Sequence, residues 1–135
     1  MPEARKTPAD SEKITINLGF VDLGHIDLLV RDGFYSNRTD FIRTAIRSQI
    51  ARHADEAGKA VRRAELDLGI AHFDRARLEA VAASGEMLDV RVLGLARFGD
   101  DVSPELARKT IRSLTVLGAL HASPAVKAAL ADRVT

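Results

Sequence analysis

The chain has 135 residues, 46% of them hydrophobic, 29% charged and 4% aromatic, with no Cys and no Trp. That length suits one domain or two small modules, the apolar share is too high for a disordered chain, and the missing Cys excludes a disulfide scaffold, thiol catalysis and cysteine-ligated zinc or iron–sulfur. The 20 Lys and Arg nearly balance the 19 Asp and Glu, and the balance is as close on either side of His53 (8 against 7, then 12 against 12). Any affinity for nucleic acid must therefore come from how charges are arranged, not from their total. No apolar run approaches the roughly 18 residues of a membrane span, and the charged, proline-broken start offers no signal peptide. A cytoplasmic protein without a membrane partner is expected.

Residues 1–12 are polar, hold two prolines and lack periodicity, as a flexible arm would. Lys13–Leu18 alternates at every step: Ile14, Ile16 and Leu18 point one way, Lys13, Thr15 and Asn17 the other, the signature of a strand with one buried face. Leu23, Ile26, Leu29 and Val30 fall at spacings of three and four, predicting a short amphipathic helix over 21–32. Gly24 weakens that helix by about 1 kcal/mol, and Gly33 stands where a left-handed cap is wanted. A second helix opens at Ser36 or Asn37, with Asp40 at capping-box distance from Asn37. It carries an apolar stripe through Phe41, Ile42, Ala45, Ile46, Gln49 and Ile50, and the pattern continues to about Ala57, before Gly58. Arg38, Arg43, Arg47 and Arg52 lie off the stripe; the last three read as a solvated face.

The second half holds an internal repeat. Leu68-Gly-Ile-Ala-His-Phe73, Leu93-Gly-Leu-Ala-Arg-Phe98 and Leu117-Gly-Ala-Leu-His-Ala122 place their glycines 25 and then 24 residues apart. Alternating residues typical of a strand precede each copy, and a helix-start signal follows it: Asp74, Ser103-Pro104 and Ser123-Pro124. Consecutive strand–helix units must give parallel strands with helices covering one face. His72, Arg97 and His121 occupy equivalent positions and could stack as a ladder. The expected architecture is α+β: an arm (1–12), a strand–helix–helix domain (13–57), a linker (58–64) and a solenoid-like strand–helix repeat module (65–135).

Some 45 residues of strand–helix–helix cannot bury enough apolar surface alone, and a lone strand leaves its backbone groups unpaired. A twofold dimer with strand 13–18 paired antiparallel to its copy meets both needs. Ile14, Ile16 and Leu18, with Phe41, Ile42 and Ile46, then close a shared core. The opposite face of such a ribbon shows Lys13, Thr15 and Asn17 twice over, and a two-stranded ribbon fits the DNA major groove. The start of the second helix, Ser36-Asn37-Arg38, offers backbone N–H groups and a positive dipole end to a phosphate.

Residues 13–52 resemble a ribbon-helix-helix DNA-binding domain of the MetJ/Arc/CopG type. The resemblance rests on KITINL, the short helix ending in DG, and FYSNRTDFIRTAIRSQI, which is similar to the family's frequent G-Y-S-S-R-S-E-F-I-R pattern. It implies an intertwined dimer and a sequence-specific transcriptional regulator of double-stranded DNA, associated with the bacterial nucleoid. It assigns base contacts to Lys13, Thr15 and Asn17 and phosphate contacts to Ser36 and Asn37, to which Arg38 is added. Gly19 departs from the pattern, standing where the family often has Pro.

For residues 65–135 the first reading is assembly of dimers into larger particles, which raises DNA affinity through multivalency. The alternative is an antitoxin whose C-terminal half binds a toxin while its N-terminal half regulates the operon. A small-molecule sensor ranks third, because no polar cluster converges on an evident pocket. The four histidines lack the Cys of the known nickel-sensing pattern, so no metal or other cofactor is expected. Asp100-Asp101 reads as a favourable charge before the helix at Ser103-Pro104 rather than as a catalytic pair, and no phosphate-binding glycine loop or nucleophile elbow is present. No enzyme is expected.

Overall fold

The computed structural model describes residues 11–135, which divide into two compact units, one ending at Lys59 and the other running from Ala60 to Thr135. All but Ser11 and Glu12 of the expected arm lies outside the described residues.

In the first unit, residues 11–19 carry no regular secondary structure. The strand expected at 13–18 is not formed within the single chain: a ladder needs a neighbour's N–H and C=O groups, and no described strand lies beside this segment. Helix α1 (Phe20–Arg31) ends as its sequence requires. Gly33 adopts φ +87°, and the Gly33 and Phe34 amides donate to the carbonyls of Val30 and Leu29 at 3.1 and 2.9 Å, the paired bonds of a Schellman cap. Helix α2 (Arg38–Arg52) is capped by Asn37, whose side chain accepts from the Asp40 amide at 2.8 Å. Asp40 in turn accepts from the Ser36 amide at 2.9 Å, one residue earlier than in the usual reciprocal box.

Helix α3 (Ala54–Ala64) occupies the stretch read as the end of α2 and a linker. The chain breaks at His53, where the amide bonds to Ile50 in a tight turn rather than four residues back. The helix then resumes and tolerates Gly58, with Asp55 and Glu56 in its first turn and Arg62 and Arg63 in its last, both matched to the helix dipole.

The second unit alternates strands and helices: β1 (Asp67–Phe73), α4 (Arg75–Ser84), β2 (Leu88–Phe98), α5 (Pro104–Thr110), β3 (Ile111–His121) and α6 (Pro124–Leu130). The strands form one parallel sheet in the order β1-β2-β3. Asp74, Ser103 and Ser123 cap the three helices through their side chains. The strands run through the Leu-Gly units rather than ending before them. Gly69, Gly94 and Gly118 are direct register partners, and so are His72, Arg97 and His121.

The glycine column has a steric cause. All three residues take positive φ (+112°, +140° and +124°), and a Cβ on Gly94 or Gly118 would lie 2.1 Å from the carbonyl oxygen of the preceding glycine in the column. Only a residue without a side chain lets the neighbouring backbone come so close. Gly69, at the sheet edge, has nothing within 4 Å of its Cβ position.

Alternate residues on either side of the column then divide the faces. Phe73, Val90, Val92, Ala96, Phe98 and Leu114 pack with Leu78, Ala107, Val126 and Leu130 of the helices into the core. Thr110 is buried with them, its hydroxyl donating to the Leu106 carbonyl at 2.7 Å. The opposite face carries two apolar rows in register, Leu68/Leu93/Leu117 and Ile70/Leu95/Ala119. Leu68, Ile70 and Leu117 are 69%, 64% and 54% exposed. At the start of β3, Val134 bridges to Leu114 and the Arg133 guanidinium donates to the Ile111 carbonyl at 2.7 Å, so the end of the chain covers that edge.

The two kinds of glycine in the column predict different costs. Gly69→Ala should lose only the strain of its φ, about 1–3 kcal/mol. Gly94→Ala adds a backbone clash and should destabilise the second unit distinctly more. Urea unfolding of the two variants measures the difference, and equal losses would contradict the column's steric origin.

Candidate nucleic-acid interface

Lys13, Thr15 and Asn17 are all exposed. Two of the residues that alternate with them, Ile16 and Leu18, belong to an apolar groove of about 420 Å³, walled also by Ile26 of α1 and by Phe41, Ile42 and Ile46 of α2. The structure thus brings together five of the six residues expected in a dimer core. Ile14 does not line the groove and is 73% exposed. Ile26 is the only fully buried hydrophobic side chain among the described residues of this unit, while Ile16 and Ile46 remain 60% and 47% exposed. The unit has a lined groove but almost no interior.

The α2 start is ordered by short polar contacts. Asn37 and Asp40 hold the first turn, and Tyr35 meets Phe41 edge-on with ring centroids 5.0 Å apart. Arg38 does not extend freely toward solvent. Its guanidinium forks onto Asp27 of α1, Nε and Nη2 donating to the two carboxylate oxygens at 2.8 and 2.9 Å. This planar bidentate pair ties α2 to α1. The hydrogen bonds from Arg38 hold the Asp27 carboxyl below the usual carboxylate range, and Asp27 raises the guanidinium in return. Sequence spacing gave no sign of this pair, because its members lie 11 residues apart on different helices. Ser36, Asn37, Arg43 and Arg47 are exposed.

The description of the Ribbon-Helix-Helix transcriptional regulator family matches residues 9–127. The chain belongs to this family. It is a family of regulators rather than of enzymes, and its members typically bind DNA and dimerise. The match spans the extended segment, the helices and most of the repeat module, so the second unit is part of what the family model describes and not an unrelated appendage. No curated protein and no solved structure matches the chain significantly. Among the described residues no helix is long and apolar enough to cross a membrane, and no group of three His, Asp or Glu side chains is placed to hold a metal ion.

The Asp27–Arg38 pair sets a pH dependence. A carboxyl held below its ordinary value of about 3.9 contributes stability that is complete above that value and is lost as pH falls through the folded-state value. Asp27→Asn should therefore flatten the acid limb of the stability curve below about pH 4 and slightly lower stability at pH 7. Chemical unfolding across pH 3–7 checks both signs.

Proposed function

We propose that the protein is a sequence-specific DNA-binding transcriptional regulator acting as a homodimer. Two copies of Lys13–Leu18 pair antiparallel and present Lys13, Thr15 and Asn17 to the major groove. Ser36 and Asn37, at the capped start of α2, contact phosphates. Arg38 contributes there mainly by positioning, since its guanidinium is committed to Asp27. The observation that carries the reading is the groove walled by Ile16, Leu18, Phe41, Ile42 and Ile46 on a unit in which, among the described residues, only Ile26 is a fully buried hydrophobic. A second copy supplies the missing interior, and strand pairing satisfies the backbone of 13–18 at the same time. Both gains require the polar alternate residues to face outward.

The repeat module serves assembly through its open sheet face. Parallel sheets are ordinarily covered on both faces, and here helices cover one while Leu68, Ile70 and Leu117 lie open on the other. A second copy of the module, contributed by another dimer, is the occupant, which ties dimers into larger particles and raises DNA affinity through multivalency.

Replacing Lys13, Thr15 and Asn17 together by Ala should abolish discrimination between operator and random DNA, at about 1–3 kcal/mol per lost base contact, while the dimer stays folded. Binding selection followed by gel shift reads this, and retained discrimination would sink the assignment. The double variant Ile70→Lys, Leu117→Glu should leave a stable dimer with the operator contacts intact but abolish larger particles in light scattering. Particle size unchanged from the parent protein would remove the assembly role, and co-purification of a small toxic protein through residues 54–135 would replace it with that of an antitoxin.

A further inference from the structure

The sheet of the second unit has two edge strands, β1 and β3, and they differ in what they offer. Along the glycine column the carbonyl of Gly69 enters the space beside Gly94, and that of Gly94 the space beside Gly118, each 2.1 Å from where a Cβ would stand. The column therefore has a direction. At its first member the receiving space is vacant: Gly69 holds φ +112° although nothing lies within 4 Å of its Cβ position, a conformation that favours glycine without a neighbour to need it. At its last member the run of carbonyls reaches Gly118, φ +124°, with no further described strand to meet. One edge lacks a carbonyl and the other lacks a glycine.

Burial on the open face follows the same division. Ile70, Leu95 and Ala119 form one row. Leu95, with a strand on both sides, is 6% exposed, whereas Ile70 at the β1 edge is 64% exposed. In the adjacent row Leu68 and Leu117 are exposed and Leu93 between them is half-buried. What Leu95 has and Ile70 lacks is a lateral neighbour, not a layer on top. Neither edge carries the features that ordinarily discourage strand addition: from Leu68 to Ala71 and from Val116 to Leu120 there is no charged residue and no proline.

The free lengths also match. Val134 bridges to Leu114 and the Thr135 amide donates to the Leu114 carbonyl at 2.9 Å, so the first part of β3 is covered. From Val116 to His121 no described strand lies on the outer side. Continued by one more strand, the register of the sheet sets Val116–His121 against Asp67–His72, with Gly118 opposite Gly69, Leu117 opposite Leu68 and Ala119 opposite Ile70. Because β1 begins at Asp67, its ladder starts where the covered part of β3 ends.

We propose that β3 of one copy pairs in parallel with β1 of another, so that repeat modules join edge to edge and head to tail into one continuous sheet. The Gly118 carbonyl fills the vacant space at Gly69, and Leu117 and Ala119 flank Leu68 and Ile70 from the side on which they lie bare. This joint is distinct from the covering of the open face: it needs no second layer, and it rests neither on that assembly nor on the DNA reading. A contact between two different surfaces repeats from copy to copy.

The chain has no Cys, so introduced pairs report the joint in the full-length protein under mild oxidation. Leu68→Cys combined with Leu117→Cys is the reporting pair. Within one chain these positions lie two strand spacings apart, roughly 9.5 Å, beyond the reach of about 7 Å for a disulfide. Across the joint they are direct partners about 4.8 Å apart. A ladder of covalent dimers, trimers and longer species is expected on a non-reducing gel, collapsed by reductant. Either single variant should cross-link at least about tenfold less, and so should the offset pair Leu68→Cys with Ala119→Cys, about 8 Å apart across the joint. Adding Gly69→Ala to the reporting pair puts a methyl where the Gly118 carbonyl enters, and should suppress the ladder about tenfold with the circular-dichroism spectrum unchanged. No ladder from the reporting pair, equal cross-linking by a single variant or the offset pair, or a ladder indifferent to Gly69→Ala would overturn the proposal. Large particles in light scattering without the ladder would remove the edge joint and leave face-to-face assembly standing.

Discussion

Backbone contact through a column of glycines organises the second unit. Because Gly94 and Gly118 each receive the carbonyl of the preceding glycine where a side chain would otherwise sit, adjacent strands are locked in a single register. A slip of one residue would bring a Cβ against that carbonyl and turn every core residue to the open face. The stacked His72/Arg97/His121 ladder, the paired apolar rows and the separation of a helix-covered face from an open one all follow from this restriction. The Asp89–Arg112 pair reinforces it at the opposite end of the sheet. There Nε donates at 3.0 Å and Nη2 at 2.5 Å, Ser113 adds a third bond, and the carboxyl is held far below its usual range.

The first unit is built on the opposite principle. Its local structure is well specified by a Schellman cap, an Asn37 cap and a bidentate ion pair between helices, yet it encloses little. Ile14, Ile16 and Ile46 accordingly stay largely exposed in the single chain. The polar side chains alternating with them remain outside, available to a ligand. With a single Lys among residues 13–18 and a near balance of charge, the unit offers a pattern of hydrogen-bonding side chains more than a bulk positive charge.

Much of this was legible in the residues because it is local. Gly33, Asn37, Asp74, Ser103-Pro104 and Ser123-Pro124 act within one turn, and the spacing of the three Leu-Gly units predicted parallel strand–helix repetition. The family's N-terminal motifs were readable for the same reason. What escaped depends on distance or on competition between small terms. Gly58 looked like an end to helix formation, but its cost of about 1 kcal/mol was too small to stop α3, while the break fell at His53, which carries no breaker signal. The Arg38–Asp27 fork joins two helices, and Asp101, which the sequence places before α5, instead accepts from the Arg75 amide at the start of α4 at 3.2 Å. No pattern along a single segment encodes them.

The repeating backbone profile has an evolutionary consequence. Each strand–helix unit offers its successor the same glycine notch and the same neighbouring side chains, so an in-frame duplication of one unit could add a strand at an edge without redesigning the rest. Lengthening the sheet in this way would widen the apolar face and extend the row of polar side chains at His72, Arg97 and His121 together, making module size a variable on which selection could act while the first unit stayed unaltered.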